Sequence, residues 1–204
     1  MVEWAPTDNI ITSAAFSPDG KMAVAGLFFG ECVFFNSEKL NYKTQIECRN
    51  ARGKFAKGRK VTGLEFSQDG KQLLVTTNDS RVRLFDVPAF GLKAKFKGLQ
   101  NDAFQIKARF SPDCKYVICG SQTQYAYIWN TSIAAPSGLL SKKNNKTESY
   151  EYFKADKVSV TAATFLPTST IRLSRGVEAT ATTQMIMSAG WEGGIKFYTC
   201  RMPP

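Results

Sequence analysis

A chain of 204 residues, 43% hydrophobic and 12% aromatic, can bury a core of one or two domains, so wholly disordered behaviour is excluded. It contains no histidine, which removes the commonest general base, the commonest zinc ligand and every His-dependent triad, and so argues against an enzyme. The formal charge of +10 favours acidic partners: nucleic acid, anionic lipid or an acidic protein face.

Met1 is followed by VEWAPTDN, which has neither a basic stretch before an apolar run nor a small-residue cleavage pattern. Nowhere do about 18 apolar residues run together. The expectation is a soluble, cytoplasmic protein. Five cysteines, Cys32, Cys48, Cys114, Cys119 and Cys200, are odd in number and form no C-x-x-C pair, so free and mostly buried thiols are expected rather than a disulfide framework. No motif asks for a metal or a cofactor.

Taken in chain order, the predicted elements repeat. AFSPDGKMAVAGLFFGECVFFN (15–36) reads as a strand ending at Phe16, a tight turn at Asp19-Gly20, a second strand, a turn and a third strand ending at Phe35. FSQDGKQLLVTTNDSRVRLFD (66–86) repeats that order from Phe66 to Phe85, and RFSPDCKYVICGSQTQYAYIWN (109–130) repeats it from Phe110 to Trp129. The two aromatics are 19 positions apart in all three copies. Chance does not keep such a period. In a fourth copy, TFLP and MIMSAGWEGGIKFYT, Phe165 and Tyr198 stand 33 positions apart, and the excess is a polar stretch from Thr168 to Thr183 that reads as an insertion in the first turn. Segments between copies, 41–48, 92–96 and 148–153, offer a fourth strand each. Short strands at periods of 50, 44 and 55 residues describe an all-β fold of β-propeller blades, at approximately residues 10–40, 41–90, 91–135 and 148–201.

The aromatic plus Asp or Asn that closes each third strand (Phe35-Asn36, Phe85-Asp86, Trp129-Asn130) resembles the WD repeat family. Over nearly the whole chain, stretches such as KLNYKTQIECRNARGK, GRKVTGLEF, LLVTTNDSRVRLFDV and SAGWEGGIKFY are similar to a branch of that family that serves Rab-type small GTPases. The resemblance implies a non-catalytic scaffold that presents loops to protein partners in endosomal membrane traffic, peripheral to those membranes. Seven blades of about 40–45 residues need about 290, so either four blades close a tight ring of their own or, the favoured expectation, the chain is part of a larger, seven-bladed one. The family's buried tetrad of Ser or Thr, Asp, Trp and His is incomplete in every copy. The second keeps Asp79 but has Val75 and Phe85; the third keeps Trp129 but has Cys119 and Thr123; the fourth has Ser188, Glu192 and Tyr198. Cohesion is therefore expected mainly from apolar packing between blades.

Two stretches stand out as candidate partner-binding sites. Arg49, Arg52, Lys54, Lys57, Arg59 and Lys60 fall within 12 positions with no acid among them. Such a loop either docks an acidic partner or is a solvated surface. A nucleic-acid or anionic-surface binder is the alternative class, although Phe55 is the one aromatic interleaved with the charge. GKFAKGRK (53–60) lacks the Lys-Ser/Thr ending of a phosphate-binding loop and leads into a strand, so nucleotide binding is not expected. Phe28 and Phe29 occupy a turn where the repeat has polar residues, as a partner anchor or as packing against another blade.

Overall fold

The computed structural model describes residues 7–50, 53, 56–132, 146–147, 150–167 and 183–201. They form four sheets in chain order. The first blade is β1 (Ile11–Phe16), β2 (Met22–Leu27), β3 (Glu31–Asn36) and β4 (Tyr42–Glu47). The second is β5 (Val61–Phe66), β6 (Gln72–Thr77), β7 (Arg81–Asp86) and β8 (Gly91–Phe96). The third is β9 (Arg109–Phe110), β10 (Tyr116–Cys119) and β11 (Tyr125–Asn130), with β12 (Lys146–Thr147) following in sequence and β13 (Glu151–Lys154) closing the sheet. The fourth has three strands, β14 (Val160–Phe165), β15 (Thr183–Gly190) and β16 (Ile195–Arg201).

Two details depart from the sequence reading. The blade limits move, because β4 pairs antiparallel with β3 (Cys32 opposite Ile46) and not with the blade that follows. Each segment between copies folds back as the outer strand of the blade before it, so the first two sheets span 11–47 and 61–96 instead of 10–40 and 41–90. A short hairpin closes at lower entropic cost than a crossing to the next blade. In addition, β12 pairs parallel with the outer strand β8, which covers part of an otherwise unpaired sheet edge. The predicted insertion lies between β14 and β15, and residues 168–182 are outside the described set.

The first turn has a reproducible chemistry. Ser17, Ser67 and Ser111 each donate from Oγ to the Asp two positions on, at 2.6 Å, and that carboxylate accepts the amide of Lys21, Lys71 or Lys115. The left-handed residue that completes the turn is Gly20 (φ 70), Gly70 (φ 70) or Cys114 (φ 57), so the cysteine adopts a conformation that favours glycine.

Packing runs between blades. One core cluster joins Val24, Cys32 and Phe34 to Leu64, Leu73, Val75 and Phe85. A second joins Leu74, Leu84 and Phe96 to Val117, Cys119 and Trp129, and a third joins Ile118 and Ile128 to Ala163, Phe165 and Ile186. Neighbouring residues of a middle strand, such as Leu73 and Leu74, thus serve opposite clusters, as the period of two requires. Each fully buried Leu or Val contributes about 1.5–3 kcal/mol. The five cysteines are free, and burial pushes the thiols of Cys32 and Cys119 up. Among the described residues no helix is long and apolar enough to cross a membrane.

Candidate functional site: one end of the blades

Successive antiparallel strands reverse direction, so the turn between the second and third strands and the crossing to the next blade emerge at the same end of every sheet. That end gathers both sequence candidates. The basic loop is held between β4 and β5, and Phe28 and Phe29 form the turn between β2 and β3. Gly58 (φ 79) lies so close to this turn that a Cβ there would overlap the Phe29 carbonyl, and Gly30 (φ 83) sits against the backbone of Arg59. Glycine at 58 is what lets the loop lie on the aromatic turn. Two backbone bonds fix its ends: Cys48 donates to the Gly30 carbonyl at 2.7 Å and Asn78 to the Lys60 carbonyl at 3.0 Å.

The result is a cavity of about 400 Å³ lined by Phe28, Phe29, Lys57, Gly58, Arg59, Lys60, Asn78, Asp102 and Ala103. Phe28 and Phe29 are 43% and 53% exposed and meet edge to face at 5.3 Å. Lys57 and Arg59 are exposed and Lys60 is half-buried. Arg49 stands apart: its guanidinium bonds both oxygens of Glu47 at 2.6 and 2.7 Å, which raises its pKa further and neutralises its charge. Arg52 and Lys54 lie outside the described residues. Among the described lining residues the one acid is Asp102, which accepts from Ser80 Oγ at 3.0 Å and from Gln100 Nε2 at 3.2 Å.

The repeat-marking aromatics fall into two groups. Phe35, Phe66, Phe85, Trp129 and Phe165 are buried, whereas Phe16 is 66% exposed on the first blade and Phe110 and Tyr198 are half-buried. Trp129 donates from Nε1 to the Lys97 carbonyl at 2.9 Å, tying the third blade to the strand end of the second. Asp86 caps the turn after β7 by accepting the amide of Ala89 at 2.9 Å.

Sequence reasoning missed a buried polar lock beneath the site. Asp79 accepts from Arg83 Nη2 and from Thr77 Oγ1, each at 2.5 Å, and Thr77 Oγ1 accepts Arg83 Nη1 at 2.6 Å. All three residues are buried. Arg83 also reaches Asn50 Oδ1, at 3.3 Å, and Lys95 donates to the same oxygen at 2.9 Å, so the root of the basic loop is anchored to the lock. Cohesion in the second blade is thus polar as well as apolar. Counting back from Phe85 pointed to Val75 as the hydroxyl position; the readable signal was Thr-x-Asp across the turn, followed by an arginine on the same face of the third strand.

Four stacked antiparallel sheets with their crossings gathered at one end are blades of a β-propeller of the WD-repeat class. Residues 52–86 match the model of the WD domain, G-beta repeat, so the chain carries WD repeats in sequence as well as in fold. It is 36% identical to WD repeat-containing protein 44 of Xenopus laevis over 93% of this chain and 23% of that protein. It is 27% identical to an uncharacterized WD repeat-containing protein of Schizosaccharomyces pombe, over 64% of this chain and 23% of that one. The chain therefore spans about a quarter of the length of these two relatives. Among solved structures, that of U3-55K superposes with a TM-score of 0.64 over 95% of this chain and 53% of the other at 15% identity, a likeness of fold.

Proposed function

We propose that this chain is a non-catalytic protein-interaction scaffold that docks an acidic partner on the end of its blades where the crossings gather. The observation that carries the reading is the joining of Lys57, Arg59 and Lys60 with the exposed Phe28–Phe29 pair around one cavity. Cationic groups steer an acidic surface, and exposed aromatics supply the apolar anchor that interface energetics require. The blades are part of a larger ring. The partner implied by the resemblance to Rab-serving WD-repeat proteins is a Rab-type small GTPase, met in the cytoplasm at the surface of endosomal membranes.

A nucleic-acid or anionic-surface binder is the second reading, favoured by the same cations. The Asp102 carboxylate inside the cavity and the Glu47 carboxylate on Arg49 weaken the field a polyanion would meet, so the protein partner fits better. The test replaces Lys57, Arg59 and Lys60 together by Glu and compares affinity capture from cell extract with the wild-type chain. Loss of a defined set of acidic proteins at unchanged melting temperature supports docking, and identical sets from both chains return the loop to a solvated surface. Tight, steeply salt-dependent binding of duplex DNA by the wild type would favour the second reading instead.

A further inference from the structure

Next to the cavity, the side chains of Phe104 and Trp191 stack at 4.9 Å with their planes 21° apart, and Trp191 is 67% exposed. The two come from distant elements: Phe104 from the crossing between the second and third blades, Trp191 from the turn between β15 and β16. A stacked pair with one broad face in solvent is unusual, because burying such a face is normally favourable.

The segment Asn101–Gln105 explains why the stack is held where it is, since it is bonded to the first three blades and linked through the third to the fourth. Asn78 Nδ2 of the second blade donates to the Asn101 side chain at 3.1 Å and to the Phe104 carbonyl at 3.0 Å. Gln105 Nε2 donates to the carbonyls of Thr12 in the first blade, at 3.2 Å, and Thr62 in the second, at 3.0 Å. Gln122 of the third blade accepts the amides of Asp102 and Ala103 at its side-chain oxygen. Its own carbonyl accepts Ser159 Oγ at 2.7 Å, and the Ser159 carbonyl accepts the Trp191 amide at 2.9 Å, which closes the chain of bonds onto the fourth blade.

Ala103 lines the basic cavity, and Phe104, one peptide bond away, supports Trp191. Cavity and stack are therefore held beside one another by one hydrogen-bonded segment. Resting on the proposed docking role of this end, we infer that the occupant is an extended peptide segment with acidic side chains for Lys57, Arg59 and Lys60 and, further along, a flat apolar ring, proline or aromatic, that packs on Trp191. A peptide of this kind gains from a surface already fixed by hydrogen bonds, because little ordering entropy remains to be lost on the receptor side. The two halves answer different needs: cations speed encounter, and the ring supplies desolvated contact area.

The test measures fluorescence anisotropy of three labelled synthetic peptides on the full chain. One joins a run of glutamates to a Pro-Phe pair through a Gly-Ser spacer, one keeps only the glutamates, and one keeps only the Pro-Phe pair. The joined peptide should bind at least about tenfold more tightly than either half. Trp191→Ala should lower its affinity to that of the glutamate-only peptide, Trp191→Phe should retain most of it, and Lys57→Glu with Arg59→Glu should lower it to that of the Pro-Phe peptide, all at unchanged melting temperature. A joined peptide that binds no better than its acidic half, or that is indifferent to Trp191→Ala, overturns the inference. If charge reversal still abolishes acidic binding, the proposed docking function survives that result. If charge reversal changes neither peptide binding nor capture from extract, both readings fall together.

Discussion

In the second blade Leu73, Leu74, Val75, Val82 and Leu84 are all buried, whereas in the fourth Ile195 and Phe197 remain 62% and 60% exposed. The strands carrying them come from the same repeat and have the same alternation. The difference is position: Leu73 and Val75 pack on the first blade and Leu74 on the third, while the fourth blade packs its Ile186 face on the third. Their ion pairs follow suit. Arg83 and Asp79 are buried to 1% and 2% exposure, whereas in the Lys196–Asp156 pair at 2.8 Å the lysine is 44% and the aspartate 14% exposed. A blade is thus not a stable unit by itself; its faces become core only when neighbours cover them.

The largest expected effect tests the buried lock. Arg83→Ala leaves the Asp79 carboxylate buried without its cation and should cost about 3–5 kcal/mol in urea unfolding. Lys196→Ala, which breaks the half-exposed pair of the fourth blade, should shift the midpoint far less, by about 1 kcal/mol or below. Equal losses at the two sites would show that the blades do not differ in the way described.

Core truncation comes next. Leu84→Ala should destabilise by about 2–5 kcal/mol, and Phe197→Ala by no more than about 0.5 kcal/mol. A loss at Phe197 as large as that at Leu84 would mean that something covers the fourth blade's open face in solution.

Turn residues give a smaller contrast. Cys114 and Ser80 both stand at left-handed φ, 57° and 59°. Cys114→Gly should gain about 0.5–1 kcal/mol by relieving the steric cost of that conformation. Ser80→Gly gains the same relief but loses the bond from Ser80 Oγ to Asp102 and the one from the Asn101 amide to Ser80 Oγ, so a net loss is expected by thermal unfolding.

The smallest effect concerns acid. The bonds from Ser17 and Ser67 hold the Asp19 and Asp69 carboxyls below the usual carboxylate range, with the amides of Lys21 and Lys71 helping. Because these pKa values are depressed on folding, the stability they contribute is present above the ordinary carboxylate pKa and is lost as pH falls through the folded values. Asp69→Asn should flatten the acid limb of the stability curve relative to wild type below about pH 4, measured by unfolding across pH. An unchanged limb would remove Asp69 from the acid response.

Strands, turns and repeat number were legible because they depend on neighbours in sequence. The 19-position interval between aromatics, the Asp-Gly turns and the runs such as QLLVTT act over a few residues, where backbone sterics and hairpin geometry decide the outcome. The candidate site was legible only as two separate clues, a basic loop and a pair of phenylalanines. Nothing local says that Gly58 rests on Phe29, that Arg49 is already paired, or that Phe104 meets Trp191 across 87 positions of chain.

By itself, then, the sequence determined the all-β repeat, its turn chemistry and the presence of unbalanced positive charge, since periodicity and composition are properties of the chain alone. Only the tertiary structure decided which sheet claimed each outer strand, which identical-looking faces were buried, and that Thr77, Asp79 and Arg83 form a lock. Those outcomes rest on hydrogen bonds and packing between residues far apart in sequence, whose energies exist only once the blades have stacked.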